Sequence, residues 1–66
     1  MRLVLQSART FQFLHSSPVT GEVAFTPSLM QALEFGTVSD WEQARELVDE
    51  YFDPGTAIIV DLDADR

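Results

Sequence analysis

A chain of 66 residues with 45% apolar content supports one small domain, residues 1–66, which buries only about 60% of the surface its unfolded form exposes. It contains no cysteine and a single histidine, which excludes disulfide staples, thiolate metal sites and a histidine zinc cluster. A formal charge of −7, with no lysine at all, opposes binding to nucleic acid or anionic lipid and favours a basic partner.

Arg2–Gln6 and Phe11–Leu14 are apolar, short and strand-like, with Leu3 and Leu5 on one parity and Phe11 and Phe13 sharing a parity in the next segment. Ser7-Ala8-Arg9-Thr10 is the turn between them, although it lacks the Asn-Gly or Asp-Gly pair of the tightest hairpins. Ser16-Ser17-Pro18-Val19-Thr20-Gly21 is a loop. Glu22–Phe25 forms a third short strand with Val23 and Phe25 on one side.

Thr26-Pro27 reads as the N-cap and first residue of a helix, where proline's missing N–H is not needed. Leu29, Met30, Ala32 and Leu33 supply its apolar face, and Gly36 sits where a helix C-terminus favours positive φ. A second helix opens on the capping box Ser39-Asp40-Trp41-Glu42, with Ser39 as the cap. Trp41, Ala44, Val48, Tyr51 and Phe52, flanked by Leu47, form its apolar stripe, and Asp53-Pro54-Gly55 stops it. Thr56–Leu62 is β-branched and apolar, the pattern of a central strand.

The resulting order, β-β-β-α-α-β, predicts an α+β domain: a mostly antiparallel sheet of three to four strands with both helices on one face. We find no internal repeat, low-complexity tract or second domain. The opening MRLVLQSARTF lacks the features of a signal peptide, and the longest unbroken apolar stretch, Ala57–Val60, is far shorter than the roughly 20 residues of a membrane helix. A cytoplasmic protein is expected.

Charge is distributed very unevenly. Residues 1–33 carry Arg2, Arg9 and Glu22, whereas residues 34–66 carry every other acid against Arg45 and Arg66. At about 100° per residue, Glu42, Glu46, Asp49, Glu50 and Asp53 fall in one arc opposite the apolar stripe, with four-apart neighbours about 6 Å apart along the axis. Asp61, Asp63 and Asp65 alternate with Leu62 and Ala64, so an extended chain places them on one side at about 6.6–6.8 Å intervals. Both rows have a spacing similar to that of a polynucleotide backbone. Like charges four apart oppose the helix by about 0.2–0.5 kcal/mol per pair, relieved only partly by Arg45 through Asp49. Such acids also suit an ordinary solvated helix face and an acidic tail.

Nothing in the chain forms a catalytic constellation. Ile58-Ile59-Val60-Asp61-Leu62-Asp63 resembles the strand-then-DxD signature of haloacid-dehalogenase-type phosphatases, but their large α/β domain does not follow. Asp61-x-Asp63-x-Asp65 imitates the start of a calcium loop without the later glycine and glutamate. His15, beside Ser16 and Ser17, reads as an edge residue near a strand end, because adjacent residues seldom form a nucleophile–base pair. The aromatic residues lack the basic neighbours that a nucleic-acid site needs, so they are assigned to packing. No enzyme activity, cofactor or metal is expected.

The small format, the acidic surface and the stretch GTVSDWEQARELVDEYFDPGTAIIV (residues 36–60) are similar to small phage-encoded proteins that disable host defences, above all the acidic anti-CRISPR inhibitors of type I systems. That resemblance implies binding to a subunit of the CRISPR surveillance complex in the host cytoplasm and blocking of target DNA, as a DNA mimic. It assigns no residue roles. The expected function is thus an inhibitor, monomeric or weakly homodimeric, that turns Glu42, Glu46, Asp49, Glu50, Asp53, Asp61, Asp63 and Asp65 toward a basic channel. The alternative is a structural or assembly module that binds a protein partner through an apolar patch on the N-terminal strands.

Overall fold

Apolar strand runs separated by serine-, proline- and glycine-containing turns give six elements in the expected order. The computed structural model describes residues 1–63: β1 (Leu3–Ser7), β2 (Phe13–Ser16), β3 (Val23–Thr26), α1 (Leu29–Phe35), α2 (Trp41–Tyr51) and β4 (Ala57–Asp61). The domain is α+β, and its four strands form one antiparallel sheet in the order β3-β2-β1-β4.

The two hairpin turns repeat one design ten residues apart, an internal similarity that the sequence reading missed. In the first, Phe11 N–H donates to Ser7 O (2.8 Å) and Ser7 N–H to Gln12 O (2.9 Å); in the second, Gly21 N–H donates to Ser17 O and Ser17 N–H to Glu22 O, both at 2.8 Å. Each serine hydroxyl accepts the N–H groups two and three residues on, and each threonine hydroxyl accepts the N–H two residues on. Side-chain oxygens of this kind replace the missing ladder bonds of a turn. The shared pattern is Ser-x-x-Thr followed by a residue in the left-handed region, Phe11 at φ 60° and Gly21 at φ 75°. β2 therefore starts at Phe13, not Phe11.

β1 and β2 pair at Gln6↔Phe13 and then part. Continued register would bring Ser16 opposite Leu3, but Leu3 exchanges backbone hydrogen bonds with Val38 instead (2.9 and 2.8 Å). The α1–α2 linker thus fills the gap between the splayed strands. Gly36 is the tightest point: a Cβ there would lie 2.4 Å from Leu14 O and 3.2 Å from His15 Cα. Its φ is −132°, so close approach, rather than the expected positive φ, is what requires glycine.

Register also assigns side chains to faces. Leu3, Leu5, Leu14, Val23, Phe25 and Ile59 share one face. α2 covers it with Ala44, Leu47, Val48 and Phe52, and the Phe52 ring meets Phe25 edge-on at 5.3 Å. The other face carries Val4, His15 and Thr26, all buried along with Ala32 of α1, which packs on β2 and β3. Val4 and Ala32 lie outside the cluster beneath α2. The helices therefore cover opposite faces rather than one, and the linker passing between β1 and β2 connects them. Two-sided burial is what the unalternating run Leu3-Val4-Leu5 encodes.

Three further expectations change. β4 is an edge strand paired with β1 alone, and Ile58 stays 37% exposed on the face away from α2. His15 lies near a strand end, next to last in β2, but it is buried rather than at an open edge. β3 pairs with it on one side, Gly36 of the linker approaches it on the other, and its Nδ1 is 3.0 Å from Ala24 O. Both N-caps lie downstream of the expected residues. Ser28 Oγ accepts Gln31 N–H, and Asp40 Oδ1 accepts Gln43 N–H at 2.7 Å, so Ser28 replaces Thr26 and Asp40 replaces Ser39. Thr26 belongs to β3 and its hydroxyl accepts Ser28 N–H, so it orders the approach to the helix rather than capping it.

Candidate functional site: an acidic helix face

α2 is held by its cap and by three small or aliphatic side chains, Ala44 fully buried and Leu47 and Val48 half-buried. That anchoring turns the opposite side outward. Glu42, Glu46, Asp49 and Glu50 are all exposed there. None of the four takes part in an ion pair among the described residues, where Arg45 also makes none, so the expected relief through Asp49 is not seen. The four carboxylates span an arc of about 100° and about 12 Å of helix. Glu50 also holds the Tyr51 phenol above its usual range, first through hydrogen bonding, then with burial and charge in support.

The remaining predicted acids are placed differently. Asp53 lies beyond the C-cap Phe52, outside the helical row. Its carboxylate meets Arg9 Nη1 at 2.8 Å while its carbonyl accepts the N–H and hydroxyl of Thr56. Asp61 and Asp63 do not form an extended row, because β4 ends at Asp61 and the chain turns. Asp61 Oδ1 accepts Asp63 N–H at 2.9 Å, and Asp63 folds back onto the N-terminus. There it accepts Arg2 N–H at 2.9 Å and pairs with the Arg2 guanidinium at 3.3 Å. Asp65 lies outside the described residues. The structure thus brings together the four acids of α2, and it separates Asp53, Asp61 and Asp63 from them as local clasps.

Partial burial pushes the Asp63 carboxyl up. The hydrogen bonds from Arg2, with the charges of Arg2 and the N-terminus, outweigh it and hold the group below the usual carboxylate range. A depressed folded-state pKa contributes stability above the unfolded value and loses it as pH falls through the folded one. Arg2→Ala should therefore raise the Asp63 titration midpoint toward that of an ordinary aspartate, read by NMR; an unchanged midpoint would contradict the clasp.

The unpaired row also has a stability consequence. Glu46 faces Glu42 and Glu50 at four-residue spacing, and lysine there turns two repulsions into two attractions. Glu46→Lys should stabilise the fold by about 1 kcal/mol, raising Tm by about 4–8 °C. A lower Tm would show that Glu46 already has a compensating partner.

Among the described residues, no group of three or more His, Asp or Glu side chains is placed to hold a metal ion. No helix among the described residues is long and apolar enough to cross a membrane. The features missed in the sequence are long-range: Arg2–Asp63 and Arg9–Asp53 join residues 61 and 44 positions apart. No family model matches the chain, nor does any curated protein or solved structure.

Proposed function

We propose that this chain is a small non-enzymatic inhibitor whose α2 face docks on a basic, nucleic-acid-binding protein surface of a host defence complex and excludes the target DNA. Four exposed carboxylates on one helix face, none of them in an ion pair among the described residues, in a chain without lysine, carry this reading. Fixed negative charge at roughly 6 Å spacing steers association with a lysine- and arginine-rich channel and competes there with phosphates. A subunit of a type I CRISPR surveillance complex, in the host cytoplasm, is the partner that fits the anti-CRISPR resemblance. Asp53, Asp61 and Asp63 belong to the periphery of the contact in this scheme, since each already has an intramolecular partner.

The test is affinity capture from the natural host at low and high salt, with the wild type beside a variant whose α2 acids are reversed. Salt-sensitive capture of a nucleic-acid-binding protein, lost in the variant, supports the reading; capture that survives the reversal refutes it.

The second reading, a protein-binding module that uses an apolar patch, draws on a different observation. Leu29 and Met30 of α1 are 48% and 74% exposed, more than packing on the sheet requires. Under that reading, polar substitutions at Leu29 and Met30 remove binding while reversal of the acids does not.

A further inference from the structure

Phe11 occupies the position that the sister turn gives to Gly21. A left-handed backbone conformation is unfavourable for a bulky residue, and glycine relieves it. No packing compensates, because the Phe11 side chain is 64% exposed. The turn needs only its backbone: Phe11 N–H donates to Ser7 O, and Phe11 O accepts from Gln6 Nε2 at 3.1 Å. An exposed aromatic ring held in a strained conformation indicates a function outside the fold.

Directly beside it lies an open groove of about 230 Å³, which Thr10 and Gln12, the neighbours of Phe11, line together with Phe25, Tyr51 and Phe52. Arg9 and Asp53 stand on its wall as an opposite-charge pair. The turn that carries Phe11 therefore also forms a wall of the groove, so a two-fold contact at this turn would let each copy offer the other the same patch. The geometry points to a homodimer in which Phe11 of each copy enters the Phe25/Tyr51/Phe52 groove of the other. Across the two-fold axis, the Arg9–Asp53 pairs, each closed at 2.8 Å within its own copy, come opposite one another, so the rim places no uncompensated charge against its counterpart. The four-carboxylate face of α2 is not needed for this contact. At −7 per copy, overall repulsion opposes the dimer and salt strengthens it, the reverse of the dependence expected for a basic partner.

Sedimentation equilibrium of the full chain across a wide concentration range, at low and high salt, tests this. The wild type is expected to form a reversible dimer that tightens with salt. Phe11→Gly should fold with a Tm equal to or above the wild type's while weakening the dimer at least about 30-fold, the size of an interface anchor's contribution. Phe11→Asn, polar and tolerant of the left-handed region, should do the same. A wild type that stays monomeric throughout, a dimer that weakens with salt, or a Phe11→Gly dimer as tight as the wild type's would each overturn the proposal.

Discussion

Reversing Glu42, Glu46 and Glu50 to lysine should weaken binding to a basic partner by about 10³-fold while the domain remains folded, taking about tenfold per reversed contact. The side chains concerned are exposed and make no ion pair among the described residues, and the contact given up is that of Glu50 with the exposed Tyr51 phenol. A row of like charges replaces a row of like charges, which leaves the four-apart repulsions nearly unchanged. A further loss is Glu42 in the first turn of α2, where an acid favours the helix dipole by about 0.3–1 kcal/mol. Circular dichroism and Tm report the fold, and titration calorimetry reports the affinity. A variant that is folded and binds like the wild type would reduce α2 to an ordinary solvated face.

Gly36→Ala should be the most damaging conservative change in the described part of the molecule, lowering stability by about 1–3 kcal/mol. The Cβ would meet Leu14 O at 2.4 Å and Ala32 O at 3.0 Å, both backbone atoms that cannot swing aside like a side chain. Relief requires moving the linker out of the gap between β1 and β2, which breaks the reciprocal Leu3–Val38 hydrogen bonds. Because φ is −132°, alanine incurs no conformational penalty, and its lower unfolded-state entropy offsets only about 0.4–1 kcal/mol. Chemical denaturation measures the difference directly. An unchanged midpoint would mean that the linker does not occupy that gap.

What could be read from the sequence was mostly local. Asp53-Pro54-Gly55 ends α2 as expected, with φ 77° at Gly55, and the Ala44/Val48 stripe fixes which side of the helix faces inward. Both depend on residues a few positions apart. The order of strands depends on partners distant in sequence: β4 looked central because Ile58-Ile59-Val60 is apolar, yet it pairs with β1 at the end of the order β3-β2-β1-β4. The helix caps were displaced because Thr26 and Ser39 are good caps by residue type, while sheet pairing keeps Thr26 in β3 and Asp40, one residue nearer the helix than Ser39, takes the Gln43 N–H.

The candidate site divides along the same line. Glu42, Glu46, Asp49 and Glu50 follow from helical periodicity alone and sit where it puts them. Asp61 and Asp63 do not form the extended row that their alternation suggested, because Arg2 on the adjacent strand end draws Asp63 back. Phe11 was legible in principle: Ser-x-x-Thr recurs ten residues later, followed by glycine where the first copy has phenylalanine. Reading Phe11 by strand alternation hid it.

The central claim is that the α2 carboxylates occupy the site a partner uses for nucleic acid. Its most direct test is the affinity of the chain for the captured partner, measured as salt is raised, with and without that partner's target duplex. Log affinity should fall steadily with log salt concentration, and chain and duplex should exclude each other. Salt-independent affinity, or a ternary complex holding both chain and duplex, would contradict it.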